Sequence, residues 1–68
     1  MPDYRERLRN VREDMDLTQT EVAKVLNTNQ KVYSRYETGF SEMPIRHLIT
    51  LCRYYNVSSD YILGLTDQ

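Results

Sequence analysis

A chain of 68 residues has room for one domain with a modest core, because a domain of this size buries only about 60% of the surface its unfolded chain exposes. With 40% hydrophobic and 28% charged residues the composition is that of an ordinary globular protein, and the single cysteine, Cys52, excludes an internal disulfide framework and every multi-cysteine zinc pattern. The formal net charge of −1 supplies no overall attraction for nucleic acid, so any nucleic-acid surface has to be local.

From residue 3 to residue 16 the apolar side chains Tyr4, Leu8, Val11 and Met15 recur at spacings of four, three and four, which predicts a first amphipathic helix. At about 100° per residue Arg12 falls on the flank of that stripe, where its stem lies along the core and its head seeks a buried partner. Arg5 and Arg9 continue the same flank outward and are expected to be solvated. Thr18 and Glu21 have the T-x-x-E form of a capping box, which starts a second helix at Gln19. Its apolar set is Val22, Ala23, Val25 and Leu26, and Asn27, tolerant of left-handed backbone, ends it.

Thr28 or Asn29 can cap a third helix over residues 30–38, with Gly39 as its stop. Projection places Tyr33 and Tyr36 on one side and Gln30, Lys31, Ser34, Arg35 and Thr38 on the other. That second side is polar, positively charged and has nothing apolar to bury. Residues 40–43 read as a loop, and Pro44 suits the first turn of a fourth helix whose apolar face is Ile45, Leu48, Leu51, Cys52 and Tyr55. Asn56 offers another left-handed stop, Ser58 caps a short fifth helix, and Gly64 ends it. Tyr61, Ile62 and Leu65 are more apolar surface than a final turn needs. They either complete the core or serve a second subunit, with Tyr61 expected inside and the C-terminal residues available to a partner copy.

Two short helices joined by about four residues, the second with a polar outer face, have the outline of the helix-turn-helix that enters the DNA major groove. Many helical hairpins share that outline without binding DNA. Here the outer face carries the right chemistry: Gln pairs bidentately with adenine, Arg and Lys with guanine, and Ser or Thr with bases or phosphate. The segments LTQTEVAKVLN, VYSRYETG and YYNVSSDYILGLT resemble the Cro and phage-repressor type of helix-turn-helix, the XRE family, over nearly the whole chain.

The resemblance implies an all-α, compact five-helix bundle of lambda-repressor-like fold, forming a single domain over residues 1–68. It implies binding to a double-stranded DNA operator by a homodimer joined through the C-terminal region, in a cytoplasmic regulator of bacterial or phage origin. Transferred position by position, it makes Asn29, Gln30, Lys31, Ser34 and Arg35 base-contacting residues, and Thr18, Gln19 and Thr38 phosphate-contacting ones. It also pairs Glu37 with a helix-1 arginine, which here is Arg12. That pairing fits Glu37's place in the last turn of a helix, where a carboxylate opposes the macrodipole and needs a compensating cation. The sequence departs from the family at Asn27, where many members have glycine, and in residues 40–43, where many relatives carry basic residues for phosphate.

The alternative to base contact for the third helix is a plain solvated surface. Tyr33 and Tyr36 are expected in the core, Val32 at a margin where a thymine methyl or the sugar backbone could meet it, and Cys52 as a small buried hydrophobe. His47 projects beside Tyr54 on an outer flank. One histidine and one cysteine assemble no acid pair, activated nucleophile or metal constellation, so neither an enzyme nor a metal or cofactor is expected. No apolar run approaches the roughly 18 residues of a membrane span. The reading is sequence-specific DNA binding by a repressor-like transcriptional regulator; the competing reading is a protein-interaction module, coactivator or antitoxin-like, on the same fold.

Overall fold

The computed structural model describes residues 3–66 and contains α1 (Tyr4–Asp14), α2 (Gln19–Val25), α3 (Gln30–Thr38), α4 (Ile45–Tyr55) and α5 (Ser59–Ile62), with no strand among the described residues. Each start has a local cause. Asp3 accepts the backbone N–H groups of Arg5 and Glu6 ahead of α1, and Thr18 and Glu21 close a reciprocal capping box on α2. Asn29 accepts the Val32 N–H and Ser58 that of Tyr61. Pro44 precedes α4 as its cap position, one residue earlier than its expected place in the first turn, and supplies only its fixed φ of −60°.

Four of the five stops follow one pattern. Asp16, Asn27, Asn56 and Gly64 take up positive φ after α1, α2, α4 and α5, and the next residue's N–H reaches back to a carbonyl five positions earlier. Asp16 corrects the sequence reading, which ran the first helix to residue 16. Its left-handed backbone (φ 56°) ends α1 at Asp14, turning Met15 out to 48% exposure rather than into the stripe.

The core consists of Leu8 from α1, Val22 and Ala23 from α2 with Leu26 just beyond it, Tyr33 and Tyr36 from α3, Leu51 and Tyr55 from α4, and Ile62 from α5. Ala23 is almost completely enclosed at the packed α2 and α3 pair, where a small residue allows close approach. The rings of Tyr33 and Tyr36 meet edge to face at 6.4 Å. His47 is half-buried and packs with its ring 5.9 Å from Tyr36, so it belongs to the seam between α3 and α4 rather than to an outer flank.

Three further expectations are corrected by the packing. Cys52 is only half-buried, because the α4 stripe is wider than the surface available to cover it. For the same reason Ile45, expected on the buried face, is 74% exposed. Ile62, not Tyr61, fills the core from α5; Tyr61 is half-buried, with the Arg7 guanidinium 4.6 Å from its ring centre. Arg7 was not singled out by the sequence pattern, yet it is buried and donates to the carbonyls of Tyr61 and Thr66, fastening α1 to the C-terminal turn.

Candidate nucleic-acid interface

The arrangement of α2 and α3 is set by packing on one side only. Tyr33 and Tyr36 are drawn into the core, which fixes the rotation of α3 and leaves Gln30, Lys31, Arg35 and Thr38 exposed, with Ser34 half-buried between them. Val32 is half-buried against the core. Thr18 is exposed and Gln19 half-buried at the start of α2, on the side from which Gln30 can be reached.

A continuous chain of polar contacts runs from the core to this surface. Arg12 donates through Nε to Glu37 Oε2 at 2.7 Å and through Nη2 to Glu37 Oε1 at 3.1 Å, a two-pronged ion pair whose side chains are only 11% and 4% exposed. Arg12 also donates through Nη1 to the Leu17 carbonyl at 2.8 Å, so one side chain joins α1, the turn before α2, and α3. Glu37 Oε1 accepts a further hydrogen bond from Gln19 Nε2 at 3.1 Å, and Gln19 Oε1 accepts one from Gln30 Nε2 at 2.7 Å. Burial opposes ionisation of Glu37, but the hydrogen bonds led by Arg12 outweigh it and hold its carboxyl below the usual carboxylate range. The same bond raises the Arg12 guanidinium further above its ordinary value.

The remaining sequence-selected residues make local contacts in the free protein. Asn29 Oδ1 accepts the Val32 N–H at 2.9 Å, leaving its amide nitrogen as the group with donor capacity to spare. Thr18 Oγ accepts the Glu21 N–H, and Thr38 Oγ1 donates to the Arg35 carbonyl at 3.4 Å. The Arg35 guanidinium lies 5.3 Å from the centre of the Phe40 ring, which is itself 77% exposed. Phe40 therefore shelves the arginine from the loop that the sequence marked as poor in positive charge.

Arg5 is not simply solvated. It pairs with Asp3 at 2.9 Å, and its guanidinium lies so close to Gly39 that a Cβ added there would come within 2.6 Å of Nη1. Gly39 is thus required twice, by its φ of 85° and by the arginine against it. With Arg9, Glu6 and Thr38 these residues border a polar cleft at the C-terminal end of α3. Sequence reasoning did not find the Gln19 to Gln30 contact or the role of Gln19 as a bridge to Glu37. Both depend on how α2 crosses α3, which no spacing within either helix reports.

Among the described residues no group of three or more His, Cys, Asp or Glu side chains is placed to hold a metal ion. No helix there is long and apolar enough to cross a membrane.

An all-helical fold with a capped helix pair at its surface, the second helix buried through aromatic residues and polar outside, defines the helix-turn-helix class. The chain belongs to the XRE-type helix-turn-helix family, whose model matches residues 8–62. It is 41% identical, over 65 residues, to the uncharacterised HTH-type transcriptional regulator YobD of Bacillus subtilis, an alignment covering 96% of this chain and 58% of that protein. It is 38% identical over 58 residues to the HTH-type transcriptional regulator ImmR of the same organism, covering 85% and 46%. Antitoxin PezA of Streptococcus pneumoniae shares 33% identity over 57 residues, covering 84% and 36%. The chain therefore spans about a third to three-fifths of the length of these relatives.

Proposed function

We propose that this chain binds double-stranded DNA sequence-specifically and acts as a repressor-like transcriptional regulator, with α3 lying in the major groove. The observation that carries the reading is the outward face of α3, where Gln30, Lys31, Ser34 and Arg35 line one solvent-facing side while Tyr33 and Tyr36 anchor the other. In this reading Asn29, Gln30, Lys31, Ser34 and Arg35 meet base edges, and Thr18, Gln19 and Thr38 meet the phosphate backbone. Two of the relatives are named as transcriptional regulators, which supports the assignment. The antitoxin name of the third gives the protein-interaction reading less support, at lower identity and over a smaller part of that protein. The family is a DNA-binding type, and no enzymatic step is proposed.

The chain works as a cytoplasmic homodimer. An apolar groove lined by Ile45, Leu48, Ile49, Cys52 and Leu63 supports self-association through α4 and α5. It is continuous with a second cleft that shares Ile45, Leu48 and Leu63 and reaches Glu42. Glu42 lies just before α4 and Arg53 in its last turn, so an antiparallel two-fold pairing sets the acid of one copy against the base of the other. A symmetric dimer of this kind reads a roughly palindromic site with half-sites about 34 Å apart.

Selection of bound sites from random duplexes, repeated with Gln30→Ala and Arg35→Ala, tests base reading. Each substitution is expected to relax preference at a position of its own, and unchanged preference in both sinks the assignment. Titration across salt concentrations separates the two functional readings. DNA affinity falls with rising salt, while a flat response favours a protein partner.

A further inference from the structure

Resting on the reading that Gln30 faces a base, we infer that Glu37, which lies behind the interface and touches no DNA in that reading, sets which base Gln30 accepts by fixing the direction of its amide. Arg12 has only donors and the Glu37 carboxylate only acceptors, so the ion pair has a defined polarity at its outer oxygen, Oε1. Gln19 must then turn its NH2 group towards Glu37, as it does at 3.1 Å. The reverse orientation sets two acceptor oxygens against each other in a half-buried site. With one N–H of its amide committed to Glu37, Gln19 turns its carbonyl oxygen towards Gln30, which meets it with Nε2 at 2.7 Å, and keeps its second N–H for the phosphate contact of the proposed reading. The orientation of Gln30 is thereby fixed by residues up to two hydrogen bonds behind it.

The consequence is chemical. One N–H of Gln30 is used on Gln19, which leaves its Oε1 and its second N–H for a base edge. An acceptor beside a donor matches adenine in the major groove, which presents the N6 amino group as donor and N7 as acceptor. Guanine presents O6 and N7, both acceptors, and would leave Gln30 Oε1 facing another oxygen. A glutamine released from the relay can flip and offer both N–H groups, and so loses the distinction. Glu37 is thus a positioning residue for specificity, in addition to holding α1 to α3.

The test is the affinity ratio of two duplexes that differ only by adenine or guanine at the position whose preference is lost in Gln30→Ala. Glu37→Gln removes the fixed polarity at the base of the relay, since an amide can both donate and accept. Gln19→Leu cuts the relay while leaving the Arg12 ion pair intact, so it serves where Glu37→Gln does not fold. In both variants the adenine preference is expected to narrow by at least about fivefold, the lower end of what a bidentate base contact contributes. Gln19→Leu also weakens binding to both duplexes alike through its lost phosphate contact, which leaves the ratio untouched. An adenine preference as strong in folded Gln19→Leu as in the wild type overturns the inference while leaving Gln30 as a base reader. Intact preference at every position in Gln30→Ala removes the underlying reading, and the inference with it.

Discussion

Arg12 and Glu37 show how a single side-chain pair can join three parts of a small core. With both partners largely buried, neither is replaceable alone, because the remaining charge would stay in the interior without its counterion. Arg12→Ala is therefore expected to lower stability by about 3 kcal/mol or more, read as a falling midpoint in urea or thermal unfolding. The pH dependence has a definite sign. Because the folded Glu37 carboxyl is held below its ordinary value of 4.5, its contribution is complete above that value and is lost as pH falls through the lower folded one. The acid limb of the stability profile should thus be shallower in Glu37→Gln than in the wild type, measured by melting temperature between neutral pH and pH ~3. It should not be flat, since Asp3 and Glu21 are also held below their ordinary range by hydrogen bonds, from Arg5 and Thr18 respectively. Sequence pattern identified Arg12 through its place beside the apolar stripe but passed over Arg7. Yet Arg7 shares that stripe, at i+3 from Tyr4 and i−4 from Val11, and a charged residue there signals a buried partner.

At the scale of the helices, the starts are legible in the sequence because capping is chemistry between residues two or three positions apart. Thr18, Asn29 and Ser58 each accept the N–H that their spacing implies. The stop at Asp16 was not legible: aspartate adopts left-handed backbone less readily than asparagine or glycine, and here the choice is made by the turn that brings Leu17 under Arg12. Helical periodicity likewise ranks the faces of α4 without saying how much of the apolar one will be covered. Ile45 and Ile49 are on the side that the other helices do not reach. Asn29→Ala removes the cap of α3, whose outer face is the proposed reading surface. It is expected to cost about 1 kcal/mol of stability and to weaken DNA binding beyond the loss of one base contact, because the first turn carrying Gln30 and Lys31 frays. Hydrogen exchange of the amides of residues 31–33 checks this directly, with faster exchange expected in the variant. Gly39→Ala is expected to be more costly than an ordinary exposed substitution, through its positive φ and the adjacent Arg5 guanidinium.

The whole molecule is near neutral, and the residues proposed to meet phosphate, Thr18, Gln19 and Thr38, are uncharged and would release no counterions of their own. In the proposed reading, affinity therefore leans on Lys31 and Arg35 within the groove and on two copies acting together. This predicts a shallow salt dependence for one half-site and a large gain for a palindrome. Ile49→Glu places a charge in the centre of the α4 groove and is expected to give a monomer in sedimentation, with half-site binding retained and palindrome binding lost. A wild-type chain that stays monomeric while saturating the palindrome would remove the dimer from the account. The central claim, that α3 is the DNA-reading element, is tested most directly by amide chemical shifts on titration with a selected duplex. The largest changes are expected at residues 29–35 and 18–19, with α4 and α5 little altered beyond effects of pairing. Changes centred on α4 and α5, with residues 29–35 unmoved, would contradict it.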